Sequence, residues 1–140
     1  MKRKVLFLCT GNSCRSQMAE GLVRHLMSED FEPYSAGLIP SAVDPRAIKV
    51  MNDIGIDISG QRSKHVDEFI DMPFDLVVTV CDYAKENCPV LPGAARTVHI
   101  PFRDPIDAVG TEEEILQVFR EVRDQIQEKI PKLLGEIFGS

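Results

Sequence analysis

The chemistry legible in this chain lies in two cysteine clusters and one aspartate. The first cluster is the octet Cys9-Thr10-Gly11-Asn12-Ser13-Cys14-Arg15-Ser16, in which five residues separate a thiol from a guanidinium. It follows an apolar, strand-like run, Val5-Leu6-Phe7-Leu8, and opens an amphipathic, helix-like one. Such a spacing curls the backbone so that successive N–H groups point inward, a nest that binds anions, and the helix adds its positive end. The same field favours the thiolate of Cys9, which is the nucleophilic form of a cysteine. Gly11 and Asn12 tolerate positive φ, and Arg15 supplies a planar fork matched to two oxygens of one anion. Cys9 alone would read as the buried end of a core strand. The whole octet, Thr10 to Ser16 around Cys9, reads as a cradle for a tetrahedral oxyanion.

The second cluster, Cys81-Asp82-Tyr83-Ala84-Lys85-Glu86-Asn87-Cys88, stands just past another apolar run, Leu76 to Val80. Ligand chemistry in parallel sheets gathers at the carboxyl ends of strands, so one edge of a sheet can carry both Cys9 and Cys81. The six residues between Cys81 and Cys88 suit a short helix or a loop. On a helix, residues seven apart lie about 10 Å apart, beyond disulfide reach, so these thiols can bond only if the segment moves. Packed strand-end cysteines are one alternative. A zinc site built from Cys9, Cys14, Cys81 and Cys88 is another, although neither pair has a zinc-knuckle spacing. The third element is Phe102-Arg103-Asp104-Pro105. Asp-Pro is by itself a turn dipeptide. Beside a Cys-x5-Arg loop, a carboxyl group held by a rigid proline suits the acid that protonates a departing oxygen.

The elements that must position these residues alternate along the chain without linker, repeat or low-complexity segment, the pattern of a parallel α/β domain spanning residues 1–140. Strands are expected at Lys4–Cys9, Tyr34–Ala36, Leu76–Val80 and, more weakly, Val98–Ile100. Met18, Leu22 and Leu26 mark the core stripe of the helix after the loop. Asp44-Pro45 reads as a helix N-cap, with Ile48 and Met51 facing inward and Gly55 as the stop. Residues 59–72 read as loop with a short helix near Val66 to Ile70. Thr111 and Glu114 form a capping-box pattern ahead of a long final helix with Ile115, Val118, Phe119, Val122, Ile126 and Ile130 along it. Pro131 is expected to kink or break that helix.

Composition narrows the setting. With 140 residues, 44% of them hydrophobic and 27% charged, the chain is ordinary for one compact soluble domain. A net charge of −6 argues against nucleic acid or an anionic membrane as partner, so any positive site is local. The start, Met1-Lys2-Arg3-Lys4, is basic, but the apolar run after it ends at Cys9, too short for a secretory segment or membrane span. A cytoplasmic location is therefore expected. There the four cysteines suit catalysis, redox exchange or metal binding better than a static disulfide framework.

Cys9 to Gly21, Tyr34-Ser35-Ala36-Gly37, Asp75 to Thr79, Asn87-Cys88-Pro89 and Asp104-Pro105 together closely resemble the thioredoxin-coupled arsenate reductases, which share the fold of low-molecular-weight tyrosine phosphatases. The resemblance covers nearly the whole chain. It implies a four-stranded parallel sheet flanked by helices, a Rossmann-like three-layer α/β/α domain. It further implies Cys9 as nucleophile, Arg15 as oxyanion clamp, Asp104 as general acid, and Cys81 then Cys88 as resolving thiols. Asn12 and Ser16 match positions that shape the loop and stabilise the Cys9 thiolate. The implied substrate is arsenate and the implied reductant thioredoxin; a monomer without cofactor or metal is expected.

One departure from that pattern concerns a cation. Some relatives bind potassium near the active site through oxygen ligands, including an acidic residue that aligns with Lys64 here. An ammonium cannot ligate a cation but can stand in its place. No potassium requirement is therefore expected, and Asn12, Glu20 and Ser35 are left as a hydrogen-bonded set. His25, His65 and His99 match no motif and are assigned to the surface or to packing. The second reading is a tyrosine phosphatase that uses Cys9, Arg15 and Asp104 alone; related phosphatases place aromatic residues after Asp-Pro, where this chain has Ile106-Asp107. A third is an anion-responsive redox sensor without turnover.

Overall fold

Four apolar runs fold into one parallel sheet. The computed structural model describes residues 2–139, so Met1 of the basic start lies outside the described residues, as does Ser140. Strands β1 (Arg3–Cys9), β2 (Phe31–Gly37), β3 (Leu76–Thr79) and β4 (Thr97–His99) lie in the order β2-β1-β3-β4, all parallel. Every residue of β3 and the last five of β1 are buried, because these central strands are covered on both faces. Helices α1 (Arg15–Leu26), α2 (Pro45–Asn52), α3 (Asp82–Asn87) and α4 (Glu112–Phe138) flank the sheet, with α1 packed on α4 and β2, and α2 on α4.

The strand order decides where chemistry can sit. The chain leaves β1 towards one side for β2 and returns to the other side for β3, so the connections diverge at the carboxyl ends of β1 and β3. This switch point opens a crevice outside the sheet. Cys9 ends β1, and Cys81 follows β3 by two residues. The register pairs Leu8 with Thr79, and the Val80 N–H donates to the Leu8 carbonyl at 2.8 Å, so the two cysteines emerge side by side.

Several local expectations hold. The Asp44 carboxylate caps α2 by accepting from the Arg46 N–H at 2.8 Å, with Pro45 in the first turn. Thr111 and Glu114 form the reciprocal capping box, at 3.1 and 3.2 Å. Others are corrected. The second strand is seven residues long rather than three, and it contains Pro33; an edge strand pairs on one side only and tolerates a missing donor. Helix α2 stops at Asn52, and Gly55, with φ +80°, turns the chain after it. Leu26 is half exposed at the end of α1 rather than part of its core stripe.

Pro131 does not break α4, which runs unbroken to Phe138. Ile126, Ile130 and Leu134 are buried at four-residue spacing on both sides of the proline. A mid-helix proline costs about 3 kcal/mol, whereas each fully buried aliphatic side chain returns about 1.5–3 kcal/mol. Two such side chains outweigh the lost backbone bond.

Candidate active site

The loop from Cys9 to Ser16 is held from both sides. Cys9 is almost wholly buried at the end of β1, with its Sγ 2.8 Å from Ser16 Oγ and accepting from the Asn12 N–H at 3.2 Å. Asn12 turns the loop at φ +49°, the single non-glycine residue in the left-handed region among the described residues. Both ends of its side chain are bonded: Nδ2 donates to Ser16 Oγ at 2.8 Å, and Oδ1 accepts from the Lys64 N–H and from Gln17 Nε2, both at 2.9 Å. The Asn12 carbonyl accepts from Ser63 Oγ at 2.6 Å.

Neighbouring strands shape the same turn. A Cβ on Gly37 would stand 2.7 Å from the Thr10 carbonyl oxygen and 2.8 Å from the Asn12 nitrogen, so the loop can fold over β2 only because that residue lacks a side chain. The Thr10 carbonyl accepts from the Ile39 N–H, the Gly11 carbonyl from Ser41 and the Ser13 carbonyl from Asp44, at 2.9 to 3.1 Å. Ser13 Oγ lies 3.6 Å from Cys14 Sγ. Burial pushes the Cys14 thiol up to about 12, the carboxylates of Asp44 and Asp104 adding to the effect, so Cys14 stays a protonated packing thiol.

Arg15 and Asp104 meet across the crevice although 89 residues separate them. Arg15 is 7% exposed; its guanidinium donates to Asp104 Oδ2 at 3.1 Å and to the Phe102 carbonyl at 3.2 Å. The other Asp104 oxygen caps the short turn Pro105–Asp107 by accepting from the Ile106 N–H at 3.1 Å. The proline thus fixes the carboxyl group beside the guanidinium that an anion would engage.

Cys81 is buried against the loop: Thr10 Oγ1 lies 3.4 Å from its Sγ, which also accepts from the Ala84 N–H at 3.4 Å. Cys88 stands at the far end of α3, half buried, its Sγ donating to the Pro89 carbonyl at 3.3 Å. Burial raises the pKa of the Cys88 thiol. All four cysteines are free thiols. The segment between Cys81 and Cys88, open as helix or loop from the sequence, is the short helix α3. Among the described residues no three His, Cys, Asp or Glu side chains gather as metal ligands.

A buried polar network lies behind the loop. Glu20 accepts from Ser35 Oγ at 2.5 Å and from Arg24 at 2.7 Å, and the Lys64 ammonium stands 3.5 Å from it and 2.7 Å from the Arg62 carbonyl. Burial lowers the pKa of Lys64, while Glu20 opposes that shift. Gln17 escaped the sequence reading. It is fully buried and donates to the Asn12 carbonyl and side chain and to the Arg62 carbonyl. A long polar residue on the inner face of an amphipathic helix was the available signal. His65 caps the turn Val66–Phe69, whereas His99 is bonded to the cysteine-bearing segment, which no motif foretold.

A parallel sheet whose switch point carries a cysteine, an arginine and an aspartate in this order defines a class of α/β proteins that hold a tetrahedral oxyanion against a thiol. The chain belongs to the low molecular weight phosphotyrosine protein phosphatase family, whose sequence profile matches residues 4–138. An arsenate reductase of Halalkalibacterium halodurans is 48% identical over 129 residues, covering 92% of this chain and 93% of the relative. A solved arsenate reductase in an intermediate state superposes with a TM-score of 0.78 at 36% identity, over 96% of this chain and 98% of that one. A low-molecular-weight protein tyrosine phosphatase from T. tengcongensis gives 0.77 at 26% identity, over 96% and 99%. The two backbones match equally well. The fold is therefore common to both chemistries, and side chains must distinguish them.

Proposed function

We propose that this protein reduces arsenate to arsenite by a three-thiol relay. The observation that carries the reading is the 3.4 Å contact between Thr10 Oγ1 and Cys81 Sγ, which sets a second buried thiol beside the Cys9 loop, with Cys88 one short helix away. A phosphatase needs only Cys9, Arg15 and Asp104. Arsenic differs from phosphorus because As(V) accepts two electrons readily, and thiols at this site can supply them.

In the proposed sequence Cys9 attacks arsenate and Asp104 protonates the oxygen that leaves as water, giving a thiol–arsenic adduct held by Arg15. The Arg15–Asp104 ion pair supports both roles, since it holds the carboxyl group beside the guanidinium that an anion would engage. Cys81 then attacks the sulfur of Cys9; the S–As bond breaks, its electron pair goes to arsenic, and arsenite departs. Cys88 attacks Cys81 and frees Cys9, leaving Cys81–Cys88 oxidised. An external dithiol, thioredoxin by resemblance, restores the thiols in a reducing cytoplasm. The retained Cys9 loop leaves room for weak hydrolysis of aryl phosphates as a side activity.

A bound potassium ion does not fit this site. The Lys64 ammonium is directed at Glu20 and would repel a cation there, so we infer that it supplies the positive charge behind the loop. The test of the function is arsenate-dependent NADPH oxidation with thioredoxin and thioredoxin reductase. Sustained oxidation that stops when arsenate is omitted supports the reading; aryl phosphate hydrolysis without arsenate-dependent oxidation would assign the site to a phosphatase.

A further inference from the structure

We propose that His99 and Asp82 are positioning residues that hold the cysteine-bearing segment in its dithiol form. The inference rests on the thiol relay proposed above. His99 ends β4 and is mostly buried, its ring set between two elements. Nδ1 lies 2.9 Å from Thr79 Oγ1 and 3.2 Å from the Thr79 carbonyl, at the end of β3, while Nε2 lies 3.0 Å from Asp82 Oδ1, in the first turn of α3. The histidine therefore bridges the sheet to the helix that separates the two outer thiols.

The rest of that helix is weakly attached. Ala84 is its one buried residue, and Asn87 bonds only within the helix. Among the described residues, apart from the Cys88 bond to adjacent Pro89, two side-chain hydrogen bonds tie residues 81–88 to the remainder of the fold: Thr10 to Cys81 and His99 to Asp82. Cys81 and Cys88 stand at opposite ends of α3, and thiols seven residues apart on a helix are about 10 Å apart, against a Cα separation of at most about 6.8 Å in a disulfide. Oxidation must therefore unwind α3, breaking its Lys85-to-Cys81 and Cys88-to-Ala84 backbone bonds. In this proposal Asp82, adjacent to Cys81, leaves His99 as the helix unwinds.

A contact made in the dithiol and lost in the disulfide stabilises the dithiol. The bridge thus makes the Cys81–Cys88 disulfide a stronger oxidant, which an external dithiol reduces more easily. It also keeps Cys88 remote until the helix opens.

The test is an equilibrium in redox buffers of reduced and oxidised dithiothreitol, run on the full chain with Cys9→Ser so that one pair is read. Cys81 and Cys88 give two electrons and two protons to the oxidised reagent; one S–S bond forms in the protein as that of the reagent opens. The fraction of Cys81–Cys88 is measured by mass mapping after acid quench. Asp82→Ala and His99→Ala are each expected to shift the equilibrium about threefold towards the disulfide, roughly 15 mV more negative, because the Thr79 contacts lie within the sheet and persist in both forms. The double variant should match His99→Ala alone, since either change breaks the same bridge. Asp82→Asn keeps an acceptor oxygen and should stay near the parent.

Asp82 is 78% exposed, so its variants keep the proposal testable even if His99→Ala folds poorly. An unmoved equilibrium in Asp82→Ala, or an equal shift in Asp82→Asn, overturns the bridge alone. A parent that forms no Cys81–Cys88 bond overturns the relay and the bridge with it.

Discussion

The two cysteine-bearing segments are built in opposite ways. In the Cys9–Ser16 loop, the Asn12 carbonyl and side chain are both spoken for, Gln17 and Ser63 support it from behind, and a single glycine contact at Gly37 sets its approach to β2. The Cys81–Cys88 segment has two buried residues, Cys81 and Ala84, and two side-chain tethers to other elements. A site that stabilises developing charge gains from donors fixed in advance. A segment that must bring two thiols together across a helix gains from weak attachment. On the proposed reading, the difference teaches that oxyanion chemistry and thiol exchange make contrary demands on the backbone, met here on neighbouring strands.

The largest expected effect comes from Cys9→Ser. A hydroxyl has neither the acidity nor the redox chemistry of the thiol, so arsenate reduction and aryl phosphate hydrolysis should both fall by roughly a thousandfold or more. Substantial activity in either assay would remove Cys9 from the mechanism. Arg15→Lys should follow, with a raised arsenate requirement and turnover slower by about a hundredfold, because a point charge loses the two-pronged contact. Unchanged kinetics would mean that the anion sits elsewhere.

Rigidity itself is tested by Gly37→Ala. The added Cβ meets backbone at 2.7 Å, which has no flexible side chain to give way, so thermal unfolding should report a loss of about 2 kcal/mol or more, with weaker anion binding. Wild-type stability would show that the loop is looser than its contacts imply. The smallest effect is chemical: native-state alkylation at about pH 8.5 should modify Cys88 and leave Cys14 unmodified, because burial holds the Cys14 thiol protonated up to about 12. The sign follows for stability. The folded-state pKa of Cys14 is raised, so its contribution is present at neutral pH and is lost as pH climbs from the ordinary thiol range towards about 12. Alkylation of Cys14 ahead of Cys88 would contradict this.

What the sequence made legible was mostly local. The octet, the Asp44 and Thr111 caps and the buried β3 run are contiguous patterns whose chemistry is set by neighbouring residues. Pairings across the fold were less legible. The Arg15–Asp104 contact was implied by matching roles, but the Gln17 network and the His99–Asp82 bridge join residues from separate elements and leave no periodic trace. Pro131 shows the same limit from the other side: a strong local breaker is overruled by Ile130 and Leu134 packing into the core, which local rules do not weigh. Pro33 in β2 becomes explicable only once the strand is known to lie at an edge.

The proposed relay, in which the Cys81–Cys88 segment completes what the Cys9 loop begins, is tested most directly by Cys88→Ser under single-turnover conditions. That variant should release about one arsenite per enzyme and stop with Cys9 joined to Cys81, while hydrolysing a small aryl phosphate as before. Cys81→Ser should stop earlier, at the arsenic adduct, with the same phosphatase activity. Arsenite release and mass mapping of the trapped disulfide read the outcome. Repeated thioredoxin-driven turnover by Cys88→Ser would contradict the relay and leave Cys88 as a packing residue.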